Sequence, residues 1–169
     1  GAPFTTSPLQ QEASRRLRLS VSQTMRIAQG LYERGLITYM RTDSTNLSGL
    51  ALNTSKKFIE ENYGESYSKT RQYKTHSKGA QEAHEAIRPT YIDNVEIDGT
   101  PQEQRLYSLI WKRTIASQMA DARILKTDIK IASDKRKEKF AVQANQVEFD
   151  GFLKVYLEGT DDQQDEEEV

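Results

Sequence analysis

The sequence predicts an α+β fold, mainly α, in which a helical body is followed by a short antiparallel β segment. Apolar residues recur at helical spacing as far as about residue 120, and three of those runs open on Ser or Thr with Gln or Glu three positions on; after Arg123 the apolar period drops to two. The expected organisation is a helical domain over residues 3–122, a β-strand segment of a neighbouring domain over 123–157, and an acidic disordered tail over 158–169.

Ser7 before Pro8, with Gln10 three on, reads as a capped helix start with proline at the first helical position, and Leu9, Ala13 and Leu17 continue it. Ser20 and Gln23 repeat the signal, and Val21, Met25, Ala28, Leu31 and Tyr32 line one face until Gly35 stops the helix. An extended run over 36–40 completes a helix-turn-helix with a strand after it. Taken alone, that pattern is better explained by an ordinary packed helix pair than by DNA binding.

Ser48 opens a further helix toward Asn62, with Ala51, Leu52, Phe58 and Ile59 inward and Gly64 as terminator. Residues 65–79 show no period and predict a mobile surface loop. Tyr67 and Tyr73 interleave there with Lys69, Arg71, Lys74 and Lys78, a mixture suited to tracking a single strand by stacking and charge. A short helix over 81–87 is expected to carry His84 and to stop near Pro89, because the residue before proline avoids the helical region. Thr100, Pro101 and Glu103 begin the longest helix, to about Ala120, whose Leu106, Leu109, Ile110, Trp111, Ile115 and Met119 cover an arc wide enough for a buried spine. Alternation over 127–131, 139–144 and 152–157 predicts three strands.

With 169 residues, 36% hydrophobic and 29% charged, the chain has material for one core, or for one domain and a piece of another. No apolar run approaches the ~20 residues of a membrane span, and the absence of cysteine excludes disulfides and thiolate zinc sites within it. A start at Gly1-Ala2 and an end in an acidic run lead to the expectation of a piece of a longer protein. The formal charge of -1 conceals an asymmetry: all 24 Lys and Arg precede residue 158, while residues 158–169 hold seven acids and no base. A mildly basic body permits contact with a phosphate backbone without demanding it.

Tyr39 stands two positions before Arg41, so in extended chain both side chains point one way while Thr38, Met40 and Thr42 point the other. That suits a phosphoryl-transfer nucleophile and its charge partner. A phenol, with an ordinary pKa of about 10, attacks poorly at neutral pH unless a cation or base favours its oxyanion and the charge building on the phosphate. Arg41 carries the bidentate fork for this. Eight tyrosines are present, so the residue type alone singles out none of them.

The run Ile37-Thr38-Tyr39-Met40-Arg41-Thr42-Asp43-Ser44 and the later Ala83-His84-Glu85-Ala86-Ile87-Arg88-Pro89-Thr90 resemble the two signature blocks of the bacterial topoisomerase I family of type IA enzymes. Pro3-Phe4-Thr5-Thr6-Ser7, Leu9-Gln10-Gln11 and Leu109-Ile110-Trp111 are similar to the same family in the same order, so the resemblance covers residues 3–157. It implies a winged-helix-like (CAP-like) tyrosine domain and part of an adjoining arch domain. By the same resemblance Tyr39 attacks a DNA phosphate and stays joined to the 5′ end, Arg41 clamps the phosphate, and His84 donates a hydrogen bond beside it. Arg88, Thr42, Asp43 and Lys78 are the expected DNA contacts, with a role in satisfying a backbone donor in a turn equally open to Asp43 or Ser44.

The implied activity is ATP-independent relaxation of negatively supercoiled DNA by single-strand cleavage, strand passage and religation. Implied partners are single-stranded and negatively supercoiled DNA and the Toprim and arch domains of the same parent chain, in a monomeric cytoplasmic enzyme. Magnesium is implied on the Toprim domain, outside these residues, so the chain by itself is expected to be inactive. No metal site is expected here, since a zinc-peptidase helix needs a second histidine four residues after His84 and that place holds Arg88. Met40 after Tyr39 resembles topoisomerase I rather than topoisomerase III, whose tyrosine is typically followed by proline; tyrosine recombinases resemble the opposite chain order, with the tyrosine late. The rivals are a helix-turn-helix DNA-binding module without catalysis and a pure interaction module.

Overall fold

The computed structural model describes residues 1–73, 84–126 and 145–156. Among them four helices form the body: α1 (Thr6–Leu17), α2 (Val21–Glu33), α3 (Gly49–Asn62) and α4 (Pro101–Ser117). As expected, α4 is the spine. Its Leu106, Ile110 and Ile115 are fully buried, and it packs against α1 and α2. The Thr100 hydroxyl accepts the Glu103 N–H while the Glu103 carboxylate accepts the Thr100 N–H, and Pro101 takes a position whose N–H has no helical partner.

Ser20 and Gln23 form the expected reciprocal cap at the start of α2. At its end the Leu36 N–H reaches the Leu31 carbonyl at 3.0 Å and the Gly35 N–H reaches that of Tyr32 at 2.9 Å, with Gly35 at φ +72°. This turn throws residues 36–40 back across the body. Arg34, just before it, pairs with Glu103 at 2.8 Å and donates to the Asp98 carbonyl at 2.7 Å, tying the end of α2 to the start of α4.

Several expectations are corrected. α1 begins at Thr6, Thr5 makes no side-chain cap, and Pro8 lies third in the helix, still within the turn whose N–H groups lack partners. Val21 and Tyr32, expected on the buried face of α2, are 56% and 42% exposed, and Thr24 and Ile27 are buried in that helix instead. Residues 65–73 are not a free loop. Glu65–Tyr67 is a 3-10 turn, Ser68 bridges Met119, and the buried Gln118 side chain bonds both the N–H and the carbonyl of Arg71. Tyr67 and Arg71 are likewise engaged, with Asp150 and Asp121 respectively.

Residues 84–87, the described part of the expected helix over 81–87, are extended. The Ala86 N–H bonds the Asn46 carbonyl and the Ile87 N–H that of Phe4, so their donors serve neighbouring segments rather than a helix. β1 (Arg123–Lys126) and β2 (Asn145–Phe149) pair antiparallel, with a register shift between Arg123 and Ile124. The strand expected over 152–157 is replaced in its described residues by a 3-10 turn, Gly151–Lys154, whose Phe152 N–H bonds the Ala120 carbonyl at 2.9 Å. Its apolar alternation serves the main core: Phe152 and Val155 pack against it, and Tyr156 is buried beneath the guanidinium groups of Arg16 and Arg113. The expected strands over 127–131 and 139–144, the tail over 158–169, and Lys74 and Lys78 lie outside the described residues.

Gly151 sits at φ +49°, and a Cβ there would lie 2.4 Å from the Ala120 carbonyl oxygen; Gly35 has the positive φ but open space around it. Gly35→Ala should cost about 1–2 kcal/mol of backbone strain. Gly151→Ala should add to such strain about 1–3 kcal/mol of overpacking. Denaturant unfolding followed by Trp111 fluorescence should rank the two variants in that order.

Hydrogen bonds from Thr100, first from its backbone N–H, and the nearby Arg34 charge hold the Glu103 carboxyl below its ordinary range. A lowered folded-state value stabilises the fold above the unfolded value and is lost as pH falls through the folded one. Glu103→Gln should therefore lose less stability than the wild type between about pH 7 and pH 3 in urea titrations.

Candidate active-site cleft

Residues 36–42 are gripped from both sides. On one side Ile37 bridges Pro89 antiparallel, the Thr38 N–H bonds the Arg88 carbonyl at 2.9 Å, and the Thr90 N–H bonds that of Leu36 at 3.0 Å. The Thr38 hydroxyl adds two bonds, donating to the Ala86 carbonyl at 2.7 Å and accepting the Arg88 N–H at 2.9 Å. On the other side, at the start of α1, the Thr6 hydroxyl donates to the Met40 carbonyl at 2.7 Å and accepts the Thr42 N–H at 3.0 Å.

From Thr38 onward the side chains alternate as the sequence predicts. Met40 is buried and Thr38 and Thr42 are half-buried, whereas Tyr39 is 46% exposed and Arg41 is also exposed. Ile37, on the Tyr39 side by that count, is buried where the alternation has not yet begun. Beyond them the Thr42 hydroxyl accepts the Ser44 N–H at 3.1 Å, a turn role, and Asp43 is exposed. The buried Ser44 hydroxyl donates to the His84 carbonyl at 2.8 Å, which stitches the two sequence blocks together.

Tyr39, Arg41, Thr42 and His84 consequently line one cleft of about 470 Å³ together with Tyr32, Thr38 and Glu85. The Tyr39 ring meets that of Tyr32 edge-on at 5.1 Å and 60°. Among the described residues neither the Tyr39 hydroxyl nor the Arg41 guanidinium takes a hydrogen bond or ion pair within the chain, so both are available to a ligand. Arg88 differs. Its Nε and Nη2 hold Glu85 at 2.9 and 2.7 Å and its Nη1 holds the Pro89 carbonyl at 3.1 Å. His84 and Arg88 do not share a helical face, because their segment is extended.

Tyr32, Thr38 and Glu85 were not among the residues singled out for the site. Thr38 and Glu85 fall inside the two blocks. Tyr32 could have been suspected as an aromatic in the last turn of a helix ending at a glycine, where the chain reverses toward Tyr39. No group of three or more His, Asp or Glu comes together among the described residues, and the one carboxylate lining the cleft, Glu85, is engaged by the Ser48 N–H and the Arg88 guanidinium.

The sequence profile described as DNA topoisomerase matches residues 1–169. The chain belongs to the DNA topoisomerase family. This topoisomerase chain is 50% identical over 165 residues to DNA topoisomerase 1 of Synechococcus elongatus and 48% identical over 169 residues to that of Streptomyces coelicolor, with 95% of the chain covered in each case. It spans 18% of the length of either relative. Its mainly helical fold matches the structure of full-length topoisomerase I from Thermotoga maritima with a TM-score of 0.68 at 35% identity, over 94% of this chain and 27% of that one.

Thr38→Val removes a hydroxyl that serves one carbonyl and one N–H at the seam between the blocks. A destabilisation of about 1–3 kcal/mol is expected from the groups left unpaired. Urea unfolding measures it, and a loss under ~0.5 kcal/mol would show that water replaces the hydroxyl.

Proposed function

We propose that this chain is the tyrosine-bearing segment of a type IA topoisomerase and that Tyr39 is its nucleophile. The observation supporting this most directly is the convergence of two separate sequence blocks on one cleft in which Tyr39 and Arg41 are both outward and uncommitted. The proposed organisation is a winged-helix-like tyrosine domain over 3–122, an arch segment over 123–157 and an acidic connector over 158–169. The larger size of the relatives supports a parent enzyme that also carries Toprim and arch domains.

The reaction is transesterification. The Tyr39 oxygen bonds to a DNA phosphorus as its proton leaves, the bond to the 3′ oxygen breaks, and that oxygen departs as a hydroxyl. The 5′ end remains held as a phosphotyrosine while another strand passes, and the reverse displacement rejoins the ends. One phosphodiester is exchanged for another, so ATP is not required. Arg41 is aimed at the charge developing on the phosphate, and His84 donates to the same group. Magnesium belongs in this reading to the Toprim domain, and no step here runs through it.

Thr42, Asp43 and Lys78 are proposed as contacts along a single strand, and negatively supercoiled DNA, which opens readily, as the substrate. Arg88 stands at the edge of the same cleft through its pairing with Glu85. No helix among the described residues is long and apolar enough to cross a membrane. A monomer acting in the cytoplasm completes the proposal.

In the parent enzyme, Tyr39→Phe should abolish both relaxation and covalent capture of a labelled single-stranded oligonucleotide on denaturing gels. Arg41→Ala should slow cleavage by about 10²–10³-fold, as loss of one preorganised donor does elsewhere. If the Phe variant still traps DNA, Tyr39 is not the nucleophile.

A further inference from the structure

A carboxylate at the wall of a phosphate-binding cleft repels the ligand the cleft is built for unless a cation discharges it. Glu85 stands at that wall beside Tyr39, Arg41 and His84. One of its oxygens accepts the N–H of Ser48, the residue that caps α3, at 3.0 Å. The other takes the Nε and Nη2 of Arg88. With the Pro89 carbonyl on Nη1, the Arg88 side chain is only 15% exposed, less than the 24% of Glu85.

We propose that Glu85 and Arg88 form a neutral clasp: Arg88 discharges Glu85 instead of gripping DNA phosphate itself, and the clasp pins residues 84–88 to the start of α3 so that His84 keeps its place. The proposal rests on the reading of this cleft as the phosphate site of Tyr39. It replaces the direct phosphate contact expected of Arg88 with an indirect one. A guanidinium held by both a carboxylate and a carbonyl would have to break those bonds before it could meet a strand. Glu85 and Arg88 are positioning residues in this scheme, because they touch neither nucleophile nor phosphate.

A double-mutant cycle in the parent enzyme separates masking from direct contact. Affinity for a single-stranded oligonucleotide is read by fluorescence anisotropy at several salt concentrations, with thermal melts confirming that each variant is folded. Arg88→Gln should weaken binding about tenfold by leaving Glu85 bare. Glu85→Gln should tighten binding and steepen its logarithmic salt dependence by up to about 0.7, the increment of one further phosphate contact on a single strand. The double variant should return to within about threefold of wild-type affinity. A double variant as weak as Arg88→Gln would overturn the clasp, because Arg88 would then be holding phosphate directly.

If Arg88→Gln unfolds, Arg88→Lys takes its place. It keeps the charge that discharges Glu85 but not the fork that pins residues 84–88, so affinity for the strand should fall by less than about threefold while covalent capture slows, and a tenfold loss of affinity there would equally overturn the proposal. Tyr39→Phe runs in parallel. Covalent capture surviving in that variant means the reading of the cleft fails, whereas capture lost with an unrestored double variant means that only the clasp fails.

Discussion

The cleft exists because a short stretch of backbone, residues 36–42, is held by hydrogen bonds on both edges without belonging to a full sheet. The Thr6 hydroxyl works along one edge and the Thr38 hydroxyl along the other, each serving a carbonyl and an N–H. Buried Ile37 and Met40 press the same stretch onto the core, so the outward residues between and beyond them have little freedom of direction. Two threonines thereby substitute for the neighbouring strands that would otherwise satisfy an extended segment. A side chain mounted in this way keeps a fixed direction, because its backbone is held while its tip stays open to solvent.

The division of labour among cations follows from what each one meets. Arg34 ties helix ends together, Arg113 and Arg16 cover Tyr156, Arg71 meets Asp121, and Arg88 meets Glu85. Arg41 differs from all of these in having no partner among the described residues, and it lies beside the exposed phenol. A lone guanidinium at the rim of a cleft keeps its hydrogen-bonding fork for something outside the chain. Its place beside Tyr39 in the cleft, rather than the lack of a partner alone, is what sets Arg41 apart.

Local chemistry was legible wherever a residue acts on its own backbone neighbourhood. The caps at Ser20, Ser48 and Thr100, the stop at Gly35 and the buried arc of α4 are all written in adjacent residues, and so is the alternation that turns Tyr39 and Arg41 outward. What could not be read depends on partners far along the chain. Residues 65–73 have no period of their own because Gln118, on the far side of the intervening α4, satisfies their backbone. Residues 84–87 look helical by composition but give their donors to Asn46 and Phe4. The apolar alternation before Tyr156 was real but served packing against the helical core rather than a strand. Tyr32 reaches Tyr39 only because of a chain reversal, which a linear face assignment does not represent.

The pairing of β1 with β2 sets Lys126 opposite Asn145, so the two ends of the described chain on either side of residues 127–144 lie next to each other. Downstream of that pair Gly151 and Tyr156 moor the chain to the helical body, and upstream α4 does so. Both flanks of that pair are thus anchored to the helical body by contacts of their own. A reporter inserted by design between Lys126 and Asn145 is therefore expected to leave the cleft around Tyr39 as it is.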